Sequence, residues 1–215
     1  MSGGLLALTF DDGPDAEITG QILDVLEQYK VPASFFLIGQ NITPETVPVM
    51  QRAVALGCEL CHHSFTHPMM TAMSPEAIAE EMRRTTERIQ ETTGQTPRFF
   101  RPPYFAVNQR MFSCIDLPFI AGYGVQDYNP EITEDERCDG IMARAKDGRI
   151  LLLHDFAGND KTVGAVRRLV PDLLEKGFTF VTVSQLFAQK GVVPRSTDRI
   201  LYSYTAQTVM YAPDA

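Results

Sequence analysis

Two adjacent carboxylates, Asp11 and Asp12, stand at the end of a short apolar run, Leu5-Leu6-Ala7-Leu8-Thr9-Phe10, and Gly13-Pro14 follows at once. The run reads as a buried strand, and the glycine and proline as the turn that closes it. Neighbouring side chains on a strand point to opposite faces, so both carboxylates can serve one ligand only if the chain turns there. Buried side by side they need a cation or hydrogen-bond donors opposite; exposed, they would be an Asx turn. A second segment, His62-His63-Ser64-Phe65-Thr66-His67-Pro68, holds three of the four histidines and follows another apolar stretch. Imidazole suits zinc and its neighbours, and two histidines plus one carboxylate leave a coordination position open for chemistry. His63, His67 and Asp12 would make that set. The alternative is a histidine cluster that holds no metal.

Three later segments carry what a hydrolase would add. Arg101 ends Arg98-Phe99-Phe100 ahead of Pro102-Pro103-Tyr104, where its fork can hold a carboxylate through two bonds. Asp127 and Tyr128 follow the apolar stretch Pro118-Phe119-Ile120-Ala121, and His154 ends the run Ile150-Leu151-Leu152-Leu153. Each has a plainer reading: Arg101 in a surface ion pair, Asp127 as a turn cap, His154 as a satisfied core residue.

Together, Thr9 to Pro14, His63 to His67, Arg101-Pro-Pro-Tyr104, Asp127-Tyr128 and Leu152-Leu-His154 resemble, in order, the five motifs of the polysaccharide deacetylases. This is family 4 of the carbohydrate esterases, the NodB homology domain, and the resemblance spans about residues 5 to 190. It implies an α/β fold, a distorted (β/α) barrel, and a metal-dependent hydrolase that removes acetyl groups from carbohydrate.

By the same resemblance Asp12, His63 and His67 hold one divalent metal, zinc first, with cobalt, nickel or manganese as alternatives. Asp11 is the base that takes a proton from water, and Arg101 orients Asp11 and keeps it ionised. The metal and the Tyr104 backbone N–H stabilise the oxyanion, as such donors do in acyl transfer. His154 is the acid that protonates the leaving group, and Asp127 is its partner carboxylate. Leu152 lines the acetyl-methyl pocket, and Pro103, Tyr104 and Tyr128 contact substrate. One position departs from the pattern: the fourth motif usually ends in tryptophan, and here it is Tyr128 in a chain without tryptophan. A tyrosine ring still stacks on a sugar face, so altered groove contacts are expected rather than lost chemistry.

At 215 residues and 44% hydrophobic content the chain can bury one substantial core, and residues 1–215 are read as a single catalytic domain. A net charge of −8 argues against nucleic acid or an anionic membrane as partner and suits a neutral polysaccharide. No run of 18 apolar residues occurs, and a monomer is favoured.

The elements that must position these residues alternate. Ile18, Ile22, Val25, Leu26 and Tyr29 fall at helical spacing, Ser34 to Ile38 reads as a strand, and Thr43-Pro44 as the cap and first turn of another helix. Ser74-Pro75 opens the next, with Ile78, Met82 and Ile89 on one face. Val163, Val166, Val170, Leu173 and Leu174 form a further stripe, closed by Gly177 before the strand Phe178 to Val183. About seven strand and helix pairs suggest a parallel barrel with its motifs at the strand C-termini. The stretch from about 192 to 215 loses periodicity and looks like an appended segment, Ile200 to Tyr204 forming an edge.

Cys58-Glu59-Leu60-Cys61-His62 matches a haem-attachment pattern and a redox half-site, yet its apolar, strand-like setting favours two reduced, buried cysteines. Cys114 and Cys138 are read as free thiols. Met1-Ser-Gly-Gly4 carries no signal peptide, while the resemblance implies a secreted or cell-surface parent. Phe99 to Arg137 and Phe187 to Tyr202 resemble the bacterial acetylxylan esterase branch. O-acetyl xylan and the N-acetylglucosamine polymers chitin and peptidoglycan both stay open as substrates. A small non-sugar amide and a non-catalytic carbohydrate-binding role are the readings outside the family's usual chemistry.

Overall fold

The computed structural model describes residues 3–208. In chain order its elements are β1 (Gly4–Asp11), α1 (Ile18–Tyr29), β2 (Ser34–Leu37), α2 (Val47–Ala55), β3 (Glu59–His62), α3 (Pro75–Thr93) and α4 (Gln109–Cys114). There follow β4 (Phe119–Ile120), α5 (Glu134–Arg144), β5 (Arg149–His154), α6 (Asp160–Glu175), β6 (Phe178–Phe180), α7 (Val183–Gln189) and β7 (Leu201–Tyr202).

The α/β architecture with its parallel sheet is as expected. β1 is the hub: β5 runs parallel along one edge, from Leu6 opposite Arg149 to Asp11 opposite His154. The other edge is divided, with β6 against Gly4 to Leu6 and β2 against Thr9 to Asp11. β3 lies outside β2. Beyond β3, among the described residues, the path back to β5 runs through single bridges, His62 to Phe100, Phe100 to Phe119 and Tyr123 to Leu151. Prolines 102, 103 and 118 flank this weak side, and a proline offers no N–H to a ladder. That is the form the expected distortion takes.

Side-chain alternation sorts the strands into two faces. Leu6, Leu8 and Phe10 of β1, Phe35 and Leu37 of β2, and Leu151 and Leu153 of β5 pack outward in one core with α1, α2, α5 and α6. Ala7, Phe36, Cys61 and Ile150 belong to a second, interior core with Val183, Leu186 and Phe187 of α7 and with Tyr202. Asp11 and His154 continue the interior parity to the C-terminal ends, above that packed floor.

Three expectations change. Helix α2 begins at Val47, not at Pro44, because the Thr46 hydroxyl ties back to the Thr43 N–H and the Asn41 carbonyl. β6 stops at Phe180 because Thr182 caps α7 in a reciprocal box with Gln185. Ile200 to Tyr204 is not an appended edge: β7 pairs with β4, Tyr202 accepts from the Ala121 N–H, and Ser203 accepts from the Ile150 N–H. It fills the gap between β4 and β5 where their own pairing lapses. Residues 209–215 of the expected appended segment lie outside the described residues. Cys58 and Cys61 are free and buried, and they belong to different cores, as a strand's alternation requires.

Candidate active site

At Asp11 the strand ends, and the chain turns one residue earlier than Gly13-Pro14 suggests: Asp12 itself has φ 72°, in the left-handed region that L-residues seldom occupy. That turn carries the Asp12 side chain to the side Asp11 already faces. The Gly13 N–H donates to Asp155 at 3.1 Å, and a Cβ at Gly13 would clash with both oxygens of that carboxylate, so only glycine fits. Ser64 (φ 64°) and His67 (φ 56°) are likewise left-handed, and so are Tyr104, Phe105 and Gln126. Five of these six non-glycine residues line one pocket and Ser64 stands between its two histidines, a pattern that the surrounding structure must hold in place.

Asp12 Oδ1 lies 3.4 Å from His63 Nε2 and 3.5 Å from His67 Nε2. This oxygen is buried and has no hydrogen-bond partner. His63 Nδ1 faces the Arg101 carbonyl at 2.7 Å, which fixes the proton on that nitrogen and leaves the Nε2 lone pair aimed at Asp12. Burial and the neighbouring His63 hold His67 below its ordinary value, in the neutral form a ligand needs. Burial works against the Asp12 charge, but the imidazoles of His63, His154 and His67 around it outweigh that and hold the carboxyl below its ordinary value. One atom from each residue falls within 4.8 Å of the others. An orphaned buried anion facing two imidazole lone pairs is a donor set that fits a divalent cation.

Asp11, 2% exposed, is clamped by the fully buried Arg101, which also bonds Thr9 Oγ1 at 3.0 Å and the Ala121 carbonyl at 2.7 Å and lies over the Phe36 ring. Its second oxygen is 3.8 Å from His63 Nε2. Opposite, His154 Nδ1 meets Asp127 Oδ1 at 2.8 Å, and the His154 N–H donates to Oδ2 at 2.8 Å. Burial disfavours the imidazolium, but Asp127, with Asp11 and Asp12 across the pocket, raises His154 to about 9, so it carries a proton at neutral pH.

The pocket these groups share is about 540 Å³, lined by Asp11, Asp12, His63, His67, Tyr104, Tyr128, Leu152 and His154, with Pro102, Phe105, Gly122, Gly124 and Gln126 completing the wall. Leu152 forms part of its floor beside Gly122 and Gly124. Tyr104 and Tyr128 are 62% and 56% exposed, which leaves two ring faces at the mouth for a ligand. Arg101 and Asp127 stand behind the wall, each against the group it supports. Pro103 differs from expectation: it is buried at the start of a short turn, and Pro102 lines the pocket instead.

With this geometry in view, comparison with known proteins is direct. The profile of the polysaccharide deacetylases matches residues 1–116. The chain belongs to the polysaccharide deacetylase family. Over 88% of its length it is 48% identical to a bifunctional xylanase/deacetylase of Pseudobutyrivibrio xylanivorans, of which it covers 31%. The chain thus spans about a third of that relative. Among solved structures, the Xyl-CE4 domain of a multidomain xylanase from the hindgut metagenome of Trinervitermes trinervoides superposes with a TM-score of 0.92 at 46% identity, covering 95% of this chain and 98% of the other. A family 4 acetyl xylan esterase from Clostridium thermocellum, in complex with a cobalt ion, gives 0.91 at 36% identity, over 94% and 100%. In this deacetylase-family chain no helix among the described residues is long and apolar enough to cross a membrane.

The sequence reading missed the residues behind the site. Glu81 of α3 accepts from the Phe65 and Thr66 N–H groups at 2.7 and 2.8 Å and from the Thr66 hydroxyl at 2.9 Å, holding the turn between His63 and His67. His62, pushed down to about 4 by burial, accepts from the Ser64 N–H and so braces the same turn from within. One signal was present: Glu81 shares a helix face with Ile78 and Ile89, and a carboxylate on a core face must have donors.

Proposed function

We propose that this chain is a divalent-metal-dependent carbohydrate deacetylase whose substrate is O-acetylated xylan, with N-acetylglucosamine polymers as the second candidate. The observation that carries this reading is the arrangement of one pocket: the Asp12, His63 and His67 corner faces the protonated His154, and the clamped Asp11 sits between them. Xylan is favoured because the relative at 48% identity is a bifunctional xylanase/deacetylase and the structure at 46% is a domain of a multidomain xylanase.

Asp12, His63 and His67 would hold the metal, zinc being the first choice for two imidazoles and a carboxylate, and when bound it would polarise water and the acetyl carbonyl. The remaining work falls to the protein. Asp11, fixed by Arg101, accepts the proton of the attacking water as its oxygen bonds to the acetyl carbon. The Tyr104 N–H donates to the oxygen that becomes negative in the tetrahedral intermediate. His154 then gives its proton to the sugar oxygen or nitrogen as the bond to the acetyl carbon breaks, releasing acetate. Leu152 offers an apolar seat for the acetyl methyl, and Tyr104 and Tyr128 stack on the sugar. In this reading residues 1–215 act as one catalytic domain within an exported parent.

The deciding experiment is acetate release from acetylated xylan oligomers and from chitooligosaccharides in parallel, each with a chelator control. Chelator-sensitive release from xylan supports the proposal. Release from chitooligosaccharides alone replaces the substrate but not the mechanism, and release that ignores chelator overturns the metal reading.

A further inference from the structure

Arg137 of α5 lies outside the pocket and is 1% exposed, yet among the described residues no carboxylate is bonded to it. Its guanidinium is satisfied by neutral acceptors: Nε by the Ile132 carbonyl at 3.1 Å, one terminal nitrogen by the Asn129 carbonyl at 3.2 Å, and the other by Asn159 Oδ1 at 2.6 Å and Thr162 Oγ1 at 2.9 Å. Burying a guanidinium without a counter-ion is costly, and a structural arginine would more simply take a carboxylate partner. The last two acceptors each lead to the proposed acid. Thr162 Oγ1 donates its proton to Asp127 Oδ2 at 2.8 Å, and Asn159 Nδ2 donates to the His154 carbonyl at 2.9 Å. One terminal nitrogen therefore holds both residues that grip the pair, one through the carboxylate and one through the histidine backbone.

We propose that Arg137 is a positioning residue for the Asp127–His154 pair, acting through Thr162 and Asn159, and that its charge, relayed by the Thr162 hydroxyl, tempers the Asp127 carboxylate. The inference rests on the reading of His154 as the proton donor. A carboxylate stripped of a donor concentrates its charge on the remaining partner and holds the imidazolium too firmly; one that also accepts from Thr162 lets the proton leave. The titratable and charged groups facing His154 are Asp127 against its ring and Asp11, Asp12 and His67 across the pocket, while Arg137 lies behind Asp127.

The sign of the effect separates this from a purely structural role. The test is an NMR titration of His154 in the full chain, the resonance being assigned by its loss in His154→Gln. Thr162→Val keeps the shape and removes the hydroxyl; the titration should move up by about half a unit or more, and Thr162→Ser should return it to the wild-type value. Arg137→Lys, which keeps a charge but loses the planar fork, should move it the same way by less. A downward move means the pair has merely loosened, and no move means no coupling; either overturns the proposal. In turnover, Thr162→Val should lower kcat several-fold at neutral pH and leave KM within about twofold, since neither Thr162 nor Arg137 lines the pocket. A matching rise in KM would count against it. If His154→Gln costs poor leaving groups no more than activated esters, the acid reading fails, and the titration still decides whether Arg137 governs the pair.

Discussion

The two walls of the pocket are built by different means. The Asp12, His63 and His67 wall is shaped by backbone: three left-handed residues, Asp12, Ser64 and His67, set the angles. Glu81 then ties the loop to α3 through two N–H groups and a hydroxyl. The Asp127 and His154 wall is shaped by side chains, relayed from Arg137 through Thr162 and Asn159. The tasks proposed for the two walls account for the contrast. A metal corner needs lone pairs at fixed distances, which backbone geometry supplies, and a proton donor needs a tuned charge environment, which polar side chains supply. Damage to the first wall should therefore be abrupt and visible in metal binding, and damage to the second graded and visible in pH dependence.

The largest expected effect comes from the ligand corner. His67→Ala should abolish stoichiometric metal binding and lower activity by about 10³-fold or more. Asp11→Ala, on the same strand end but assigned to proton transfer, should keep the metal while losing about 10²- to 10⁴-fold. Metal titration by calorimetry alongside turnover separates the two, and equal metal loss would merge Asp11 with Asp12 in one role. Next in size is Glu81→Ala, which orphans the buried Phe65 N–H, removes the partner of the Thr66 N–H and lets the His63 to His67 turn relax. Metal affinity should drop by about 10- to 100-fold, as for other residues that orient ligands, with the His154 titration unmoved. Glu81→Gln, which keeps an acceptor oxygen for both N–H groups, should recover most of it.

On the other wall the loss should depend on pH. His154 is raised to about 9 chiefly against burial by Asp127, so it is a charged acid below that value and loses its proton as pH rises through it. Asp127→Asn removes the anion, and the imidazole titrates near or below its ordinary 6.5. The variant's deficit should therefore be larger at pH 8 than at pH 6 by about tenfold or more, and larger for sugar amides than for activated esters. A deficit equal at both pH values would mean that Asp127 orients His154 without charging it.

How much of this was legible follows the same division. Asp11 and His154 at strand ends, and His63 just past one, could be read because a charged or imidazole residue closing an apolar run is a local signal; Arg101 gave the same signal but follows a single bridge at Phe100 rather than a strand. Their convergence followed from parallel strands that all end on one side. Backbone turns at Asp12 and Ser64 were not legible, because left-handed φ is imposed by tertiary packing on residues that do not announce it. The relay was harder still: Arg137, Asn159 and Thr162 are unremarkable on their own helices and meet only because α5 packs against α6. β7 was misread because two residues of pairing leave no periodicity, and its place between β4 and β5 depends on how far apart those strands stand.

The smallest expected effect belongs to the residue that joins the two walls. Asp155 follows His154 on the β5 end but sends its carboxylate to the Gly13 N–H and to the Thr19 hydroxyl, at 3.1 and 2.5 Å. Burial raises it to about 7, with Asp12 and Asp11 adding to the rise against the Thr19 and Gly13 hydrogen bonds. A carboxyl whose folded value lies above its unfolded one contributes its full stability below about 3.8 and loses it as pH rises through about 7. Asp155→Asn keeps an acceptor for the Gly13 N–H, its amide nitrogen faces a Thr19 hydroxyl that can rotate to accept it, and it does not titrate. Its melting temperature should therefore gain on the wild type between pH 5 and pH 8 by about 5 °C or more, with activity within about threefold. A melting difference constant with pH would mean that Asp155 is already ionised in the folded protein, and that the joint between the walls is held by charge rather than by a shared proton.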